Sequence, residues 1–271
     1  MKIKIRNRFT NSIIFEGEFD NIRLAVEAAV KAGNNLTVAD LSGANLTNAY
    51  LSETNLTRAD LGGANLTGAY LMGANLTDAN LYRANLTDAN LGLTNLSGAI
   101  LIGANLTNAY LFEADLHEAD LLGASLARVN LRGANLTGAN LIIANLRGAD
   151  LTIANLRGAN LTIANLTEAN LSLVDLTGAN LTNANLRGAN LFTVDLTGAY
   201  LMGANLTDAN LYRANLTEAN LSLVNLTNAN LTNANLTNAN LDGVIGYHPE
   251  PKVEIISRIE DPYLRKLEPD L

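Results

Sequence analysis

The chain has no cysteine, which excludes disulfides and thiolate chemistry without identifying a redox compartment. Histidine occurs only at His117 and His248, in different regions and without zinc-ligand spacing around either. Long apolar runs are missing too, so no segment is suited to crossing a bilayer. The basic start Met1-Lys2-Ile3-Lys4-Ile5-Arg6 is not followed by the uninterrupted apolar stretch of a secretory leader, and a cytoplasmic protein without membrane insertion is expected. Basic residues are outnumbered, with 18 Lys and Arg against 26 Asp and Glu and a net charge of -8. That balance argues against direct nucleic-acid binding, which needs clustered cations, and suits solubility or a basic partner.

What the chain does have is one strict period. From Leu36 to Leu241, 42 leucines recur at every fifth residue without interruption. Ala stands two residues before most of them, replaced by Thr54, Thr94, Val129, Val174, Val194 and Val224, and Asn or Asp usually lies between. Such a repeat has to be explained before ordinary domain rules are applied. On an α-helix a five-residue step rotates successive leucines by about 140°, scattering them around the axis. On a straight strand an odd step sends them to alternate faces. The pattern fits a short extended piece that points Ala and Leu inward, followed by a bend that restores the inward direction, so the chain coils.

Segments such as Ala74-Asn75-Leu76-Thr77-Asp78 and Ala209-Asn210-Leu211-Tyr212-Arg213 carry this grammar, and over about three quarters of its length the chain resembles the pentapeptide-repeat family. The resemblance implies an all-β solenoid, a right-handed quadrilateral β-helix with four pentapeptides per coil. Roughly ten coils at about 4.8 Å per layer would make a rod on the order of 50 Å long. Thr follows Leu in alternate pentapeptides, as at Thr67, Thr77 and Thr87, so opposite faces of such a coil should look alike and adjacent faces should differ. The stretch Thr67 to Leu91 returns almost unchanged at Thr197 to Leu221, which partial duplication explains.

Burying each leucine contributes roughly 1.5–3 kcal/mol, offset by the entropy of ordering the coils. Ala fits a narrow interior, and the six larger replacements should bulge locally or fill gaps. Asn near the bends is expected to satisfy backbone groups.

Three regions follow: an N-terminal cap over 1–35, the repeat over 36–241, and a C-terminal cap and dimerisation segment over 242–271. Ile3 and Ile5 alternate with charged residues and precede the apolar run Ile13-Ile14-Phe15, which predicts a β-hairpin. Asp20 is expected to cap a helix that Gly33 and Asn34 terminate. Hairpin and helix should cover the first coil, because an exposed β-layer invites polymerisation. The tail offers two readings, a cap on its own last coil or exchange with another subunit. Its apolar residues Val253, Ile256, Ile259, Leu264 and Leu267 favour a cap that also joins a homodimer.

The remaining candidates lie on the repeat surface. Glu113, Asp115, Glu118 and Asp120 cluster within part of one coil and form a candidate acidic patch for a basic partner. Paired-carboxylate catalysis needs a pocket and distinct environments that the sequence does not supply. At twenty residues per coil, Tyr82, Ile102, Leu122, Ile142 and Met202 share one outward column, with Ile143, Ile163 and Leu223 beside it. Phe112, Phe192 and Tyr212, with Ile153 and Leu173, occupy the opposite side. Such columns either stack to stabilise coils or meet a partner. The reading that follows is a noncatalytic protein-interaction module without cofactor or metal, its protein partner unidentified. The resemblance implies an alternative, since some family members look like duplex DNA and bind bacterial type II topoisomerases. Between Leu36 and Leu241 there are 15 acids and 8 bases, a modest excess for a DNA mimic.

Overall fold

In the inner coils, a pentapeptide with Asn or Asp at its second position finds an acceptor for all five of its backbone N–H groups, and that explains why the repeat favours those residues. A computed structural model describes residues 1–247. In the pentapeptide Ala104–Asn108, Ala104 N–H donates to Leu101 O at 3.0 Å, closing a turn, and Asn105 donates to Ala84 O of the preceding coil at 2.9 Å. Leu106 and Asn108 donate to Ser125 O and Ala127 O of the next coil at 2.7 and 3.0 Å. The fifth donor, Thr107, has no backbone acceptor and donates to the Asn105 side-chain Oδ1 at 3.1 Å. Asn at that position supplies the acceptor that the backbone lacks.

Parallel bridges join residue i to residue i+20 without a break from Asp40↔Asp60 to Asn225↔Ile245, so four pentapeptides make one coil. Every turn places its third residue at positive φ, as at Gly63 (66°) and Asn48 (55°), in the manner of a type II turn. Gly and Asn take that conformation readily, whereas the β-branched Ile143, Ile153 and Ile163 take it at 52–60° against a steric penalty.

The interior holds the inward Leu and Ala, which from Leu46 to Leu226 are at most 2% exposed. The larger interior residues fit at a small local price in geometry. The turn hydrogen bonds of Thr54, Thr94, Val129, Val174, Val194 and Val224 stretch to 3.1–3.3 Å, against 3.0 Å at a typical Ala such as Ala104, while the parallel ladder continues past them. Thr94, fully buried, donates its hydroxyl to Leu71 O at 2.9 Å. In the last described coil Leu231, Leu236 and Leu241 are only half-buried.

At the start of the chain β1 (Lys2–Asn7) and β2 (Ile13–Glu18) form an antiparallel hairpin, and β1 also pairs with β3 (Ala39–Asp40), giving the order β2-β1-β3. The helix α1 (Ile22–Lys31) follows, and its Val26 and Ala29 join Ile5 in the same core as the first leucines. Its N-cap is Asn21 and not Asp20. Asn21 has the extended cap conformation, and its Oδ1 accepts from Leu24 N–H at 3.0 Å, which leaves Asp20 one residue outside the helix. The helix ends as a Schellman motif: Asn34 N–H donates to Ala29 O and Gly33 N–H to Val30 O, with Gly33 at φ 74°. The tail residues Val253, Ile256, Ile259, Leu264 and Leu267, together with His248, lie outside the described residues.

Candidate interaction surface

Polar side chains facing outward at the middle of each pentapeptide are largely occupied by the coil itself. Thr67 donates its hydroxyl to Asn65 Oδ1 at 2.7 Å and accepts from Asn85 Nδ2 of the next layer at 2.9 Å. The same relay links Asn170 to Thr152 and Asn215 to Thr197. Among the described residues no buried side-chain polar atom lacks a partner, and no group of three or more His, Cys, Asp or Glu is placed to hold a metal ion. The side chains left over for other work are those at the corners and those that replace the Asn or the Thr.

The four acidic candidates divide into two kinds. Asp115 accepts from His117 N–H and from Asn135 Nδ2, and Asp120 accepts from Leu122 N–H and Asn140 Nδ2, at 2.8–3.2 Å. Both occupy the Asn position and act as its isostere. Glu113 and Glu118 sit at positive-φ corners with exposed side chains. His117 lies beside them, its Nδ1 3.1 Å from Thr137 O and its Nε2 3.5 Å from Glu118. Elsewhere acids pair with neighbouring arginines, as in Arg147–Glu168 at 3.6 Å and Arg187–Asp208 at 3.6 Å.

At Asp175 burial pushes the carboxyl up. The Thr177 hydroxyl and N–H, at 2.6 and 2.9 Å, and the Arg157 guanidinium at 3.2 Å outweigh it and hold the group below the usual carboxylate range. A depressed folded-state pKa means that stability from Asp175 is present above the unfolded pKa and is lost as pH falls through the folded value. Arg157→Ala should therefore raise the Asp175 pKa and shrink that acid-sensitive contribution. An NMR titration of the Asp175 carboxyl in the variant that shows no upward movement would contradict the assignment.

The apolar candidates separate into groups. Tyr82, Ile102, Leu122 and Ile142 occupy successive layers of one column, and Thr162 and Thr182 part them from Met202. Phe192 and Tyr212 stack at 5.8 Å with rings 6° from parallel, while Phe112 is separated from them by Arg132, Thr152 and Ser172 in the same column. Ile143, Ile153, Ile163, Leu173 and Leu223 are about half exposed at corners.

Sequence reasoning passed over a further group. Tyr50, Tyr70, Tyr110 and Tyr200 occupy the Asn position itself and are 44–64% exposed. Tyr50 and Tyr70, in consecutive layers, stack at 4.9 Å with an interplanar angle of 4°. Met72, Leu93 and Phe112 lie on the same face, each 40–54% exposed. The available signal was the word Ala-Tyr-Leu in place of Ala-Asn-Leu.

The family model for pentapeptide repeats matches in eight copies, over residues 35–73, 54–92, 89–126, 114–152, 154–191, 169–208, 184–222 and 209–245. Among solved structures, HetL from the cyanobacterium Nostoc sp. strain PCC 7120, a pentapeptide repeat protein involved in heterocyst differentiation regulation, is 35% identical; the match covers 84% of this chain and 98% of HetL, with a TM-score of 0.44. Rfr23, a pentapeptide repeat protein from the cyanobacterium Cyanothece 51142, is 33% identical over 42% of this chain and 88% of its own, with a TM-score of 0.33. QnrB1, a plasmid-mediated fluoroquinolone resistance protein, is 19% identical over 76% of this chain and 87% of its own, with a TM-score of 0.37. No curated protein sequence matches the chain.

Proposed function

The chain belongs to the pentapeptide-repeat family, whose members fold as right-handed quadrilateral β-helices, and from that premise we propose that it is a noncatalytic, rigid module for binding a protein partner. One observation carries this reading. The coil consumes its own interior and most of its outward hydrogen-bonding groups, leaving corner charges and substituted side chains displayed at intervals set by the β-layer spacing. In this reading residues 1–35 close the first coil and residues 242–271 close the last, the latter also joining two chains in a homodimer. The module works in the cytoplasm, and no described helix is long and apolar enough to cross a membrane.

Mimicry of DNA toward a type II topoisomerase ranks second. A mimic needs continuous columns of free carboxylates. Here Asp60, Asp115, Asp120 and Asp195 accept side-chain amides from the next layer, and Arg147, Arg157 and Arg187 neutralise Glu168, Asp175 and Asp208.

Affinity capture with the full chain, and with a chain ending at Leu241, tests the reading. A saturable, stoichiometric protein partner without turnover is expected, together with a dimer by light scattering that the shortened chain loses. Enrichment of DNA gyrase or topoisomerase IV would move the assignment to mimicry. A full chain that is monomeric over a broad concentration series would remove the dimer and leave the cap.

A further inference from the structure

We propose that the face carrying Tyr50, Tyr70, Met72, Leu93, Tyr110 and Phe112 docks an arginine-bearing apolar segment of a protein partner. The proposal rests on the interaction-module reading and names the surface and the chemistry of what it binds. Tyr50, Tyr70, Asn90 and Tyr110 are successive bridge partners, so the six side chains occupy four adjacent layers of one face. Aromatic residues and Met at this density form the composition typical of an interface core.

The tyrosines are present at the expense of a hydrogen bond. Where Asn stands, its Oδ1 accepts the N–H two residues on, as Asn90 does for Gly92 within this face at 3.2 Å. Tyr50, Tyr70 and Tyr110 offer no such acceptor, and the N–H groups of Ser52, Met72 and Phe112 have none in the chain among the described residues. The same acceptor is missing behind Ile100, Ser125 and Tyr200 on other faces, but three of the losses fall within the four layers of this one. The exchange leaves three outward backbone donors beside the rings, suited to carbonyl oxygens of a bound segment.

Charge decides the partner. Three aromatic rings elsewhere carry a guanidinium of this chain: Arg8 and Arg58 over Phe9 at 5.1 and 5.4 Å, Arg83 over Tyr82 at 5.0 Å, and Arg213 over Tyr212 at 5.2 Å. Tyr50, Tyr70, Tyr110 and Phe112 have no such neighbour among the described residues. The corners that flank these four layers bring Glu53, Asp88 and Glu113, and on this face the four layers themselves hold no Lys or Arg. In the layer beyond them stand Arg132, next to Phe112 in its column, and Arg128, whose Nε is held by Asn108 Oδ1 at 3.1 Å. The adjacent helix carries Arg23, which is held by Glu27 at 3.3 Å, and an exposed Lys31 in its last turn. A face of bare rings rimmed by carboxylates fits guanidinium groups, which stack on aromatics and pair with acids. A second copy of this chain, with a net charge of -8, fits it poorly.

The partial duplication supplies an internal control. Tyr200 and Met202 repeat Tyr70 and Met72 at an offset of 130 residues, or six and a half coils, so they face the opposite way with Asn180 and Asn220 in the neighbouring layers.

The chain contains no Trp, so tyrosine emission can be read directly. The probe is a synthetic peptide of about twelve residues alternating Arg and Leu, with a version carrying Gln for Arg, a length that spans several layers at the β-spacing. The full chain should bind the Arg peptide, more weakly as salt rises, and should ignore the Gln peptide. The variant Tyr50→Asn/Tyr70→Asn/Met72→Thr/Tyr110→Asn restores the repeat's own residues, so it keeps its far-UV circular dichroism, and it should lose affinity by roughly tenfold or more, the scale of a lost aromatic hot spot. Tyr200→Asn/Met202→Thr should bind like the unchanged chain. Equal affinity for both variants, or equal binding of the Gln peptide, would overturn the proposal. Self-association abolished by the four-residue variant would overturn it in favour of a second copy. A native partner captured equally well by that variant would overturn the docking face while leaving the interaction-module reading intact.

Discussion

Leu136→Ala is expected to lower the free energy of unfolding by about 2–5 kcal/mol, through lost transfer energy and an unfilled cavity. Leu136 is fully buried, and its N–H is pinned to Asn155 O at 2.7 Å, so the wall of the coil cannot fold inward to fill the space. In a chain ending at Leu241, whose last coil is left uncapped, Leu236→Ala should cost about 1 kcal/mol or less, because that leucine is then half-exposed and gives up less burial. The contrast matters more than either value. Because each coil contacts chiefly its neighbours, hydrogen exchange should show the Leu136 defect as lost protection between about Leu116 and Leu156, with distant coils unchanged. Equal losses from the two substitutions, or a uniform loss of protection along the rod, would contradict a nearest-neighbour solenoid.

The interior was legible because its rule is periodic. A five-residue register of Leu and Ala admits neither a helix face nor a straight strand, and the 20-residue pairing then places every outward column. It also makes the two Thr-bearing columns, through Thr67 and Thr77, lie on opposite faces. The surface was less legible because it is written in exceptions. Glu113, Asp115, Glu118 and Asp120 look alike as a string, yet two of them replace Asn in the backbone relay and two project from corners. That difference appears once each pentapeptide position has a hydrogen-bonding duty. The tyrosines were passed over for the same reason. At the variable position an aromatic is unremarked variation, whereas at the Asn position it forfeits an acceptor. Asp20 and Asn21 are equally good caps by residue type, and only the backbone conformation separates them.

Deleting residues 1–34 should convert the chain into large assemblies, the second of the two largest effects. In the regular coil Tyr70 N–H donates to Ala49 O of the layer before it, at 2.9 Å. Tyr50 has no such layer, and the Glu27 carboxylate of α1 accepts its N–H instead, at 3.1 Å. Along the same edge β1 supplies the bridges Arg6↔Asp40 and Asn7↔Ala39, and Arg8 donates to Val38 O at 2.8 Å and to Arg58 O at 3.2 Å. Ile5, Val26 and Ala29 cover the apolar end beneath. Without this segment the first β-layer would present open backbone groups around an exposed leucine core, a template for end-to-end addition of further chains. Light scattering should report the change directly. The double substitution Val26→Asp/Ala29→Asp, which keeps the full length but buries two carboxylates, should move the chain in the same direction by detaching the helix. A shortened chain that stays monodisperse with an unchanged far-UV spectrum would mean that the layer protects itself. The exchange of Glu27 for a missing carbonyl would then be incidental to solubility.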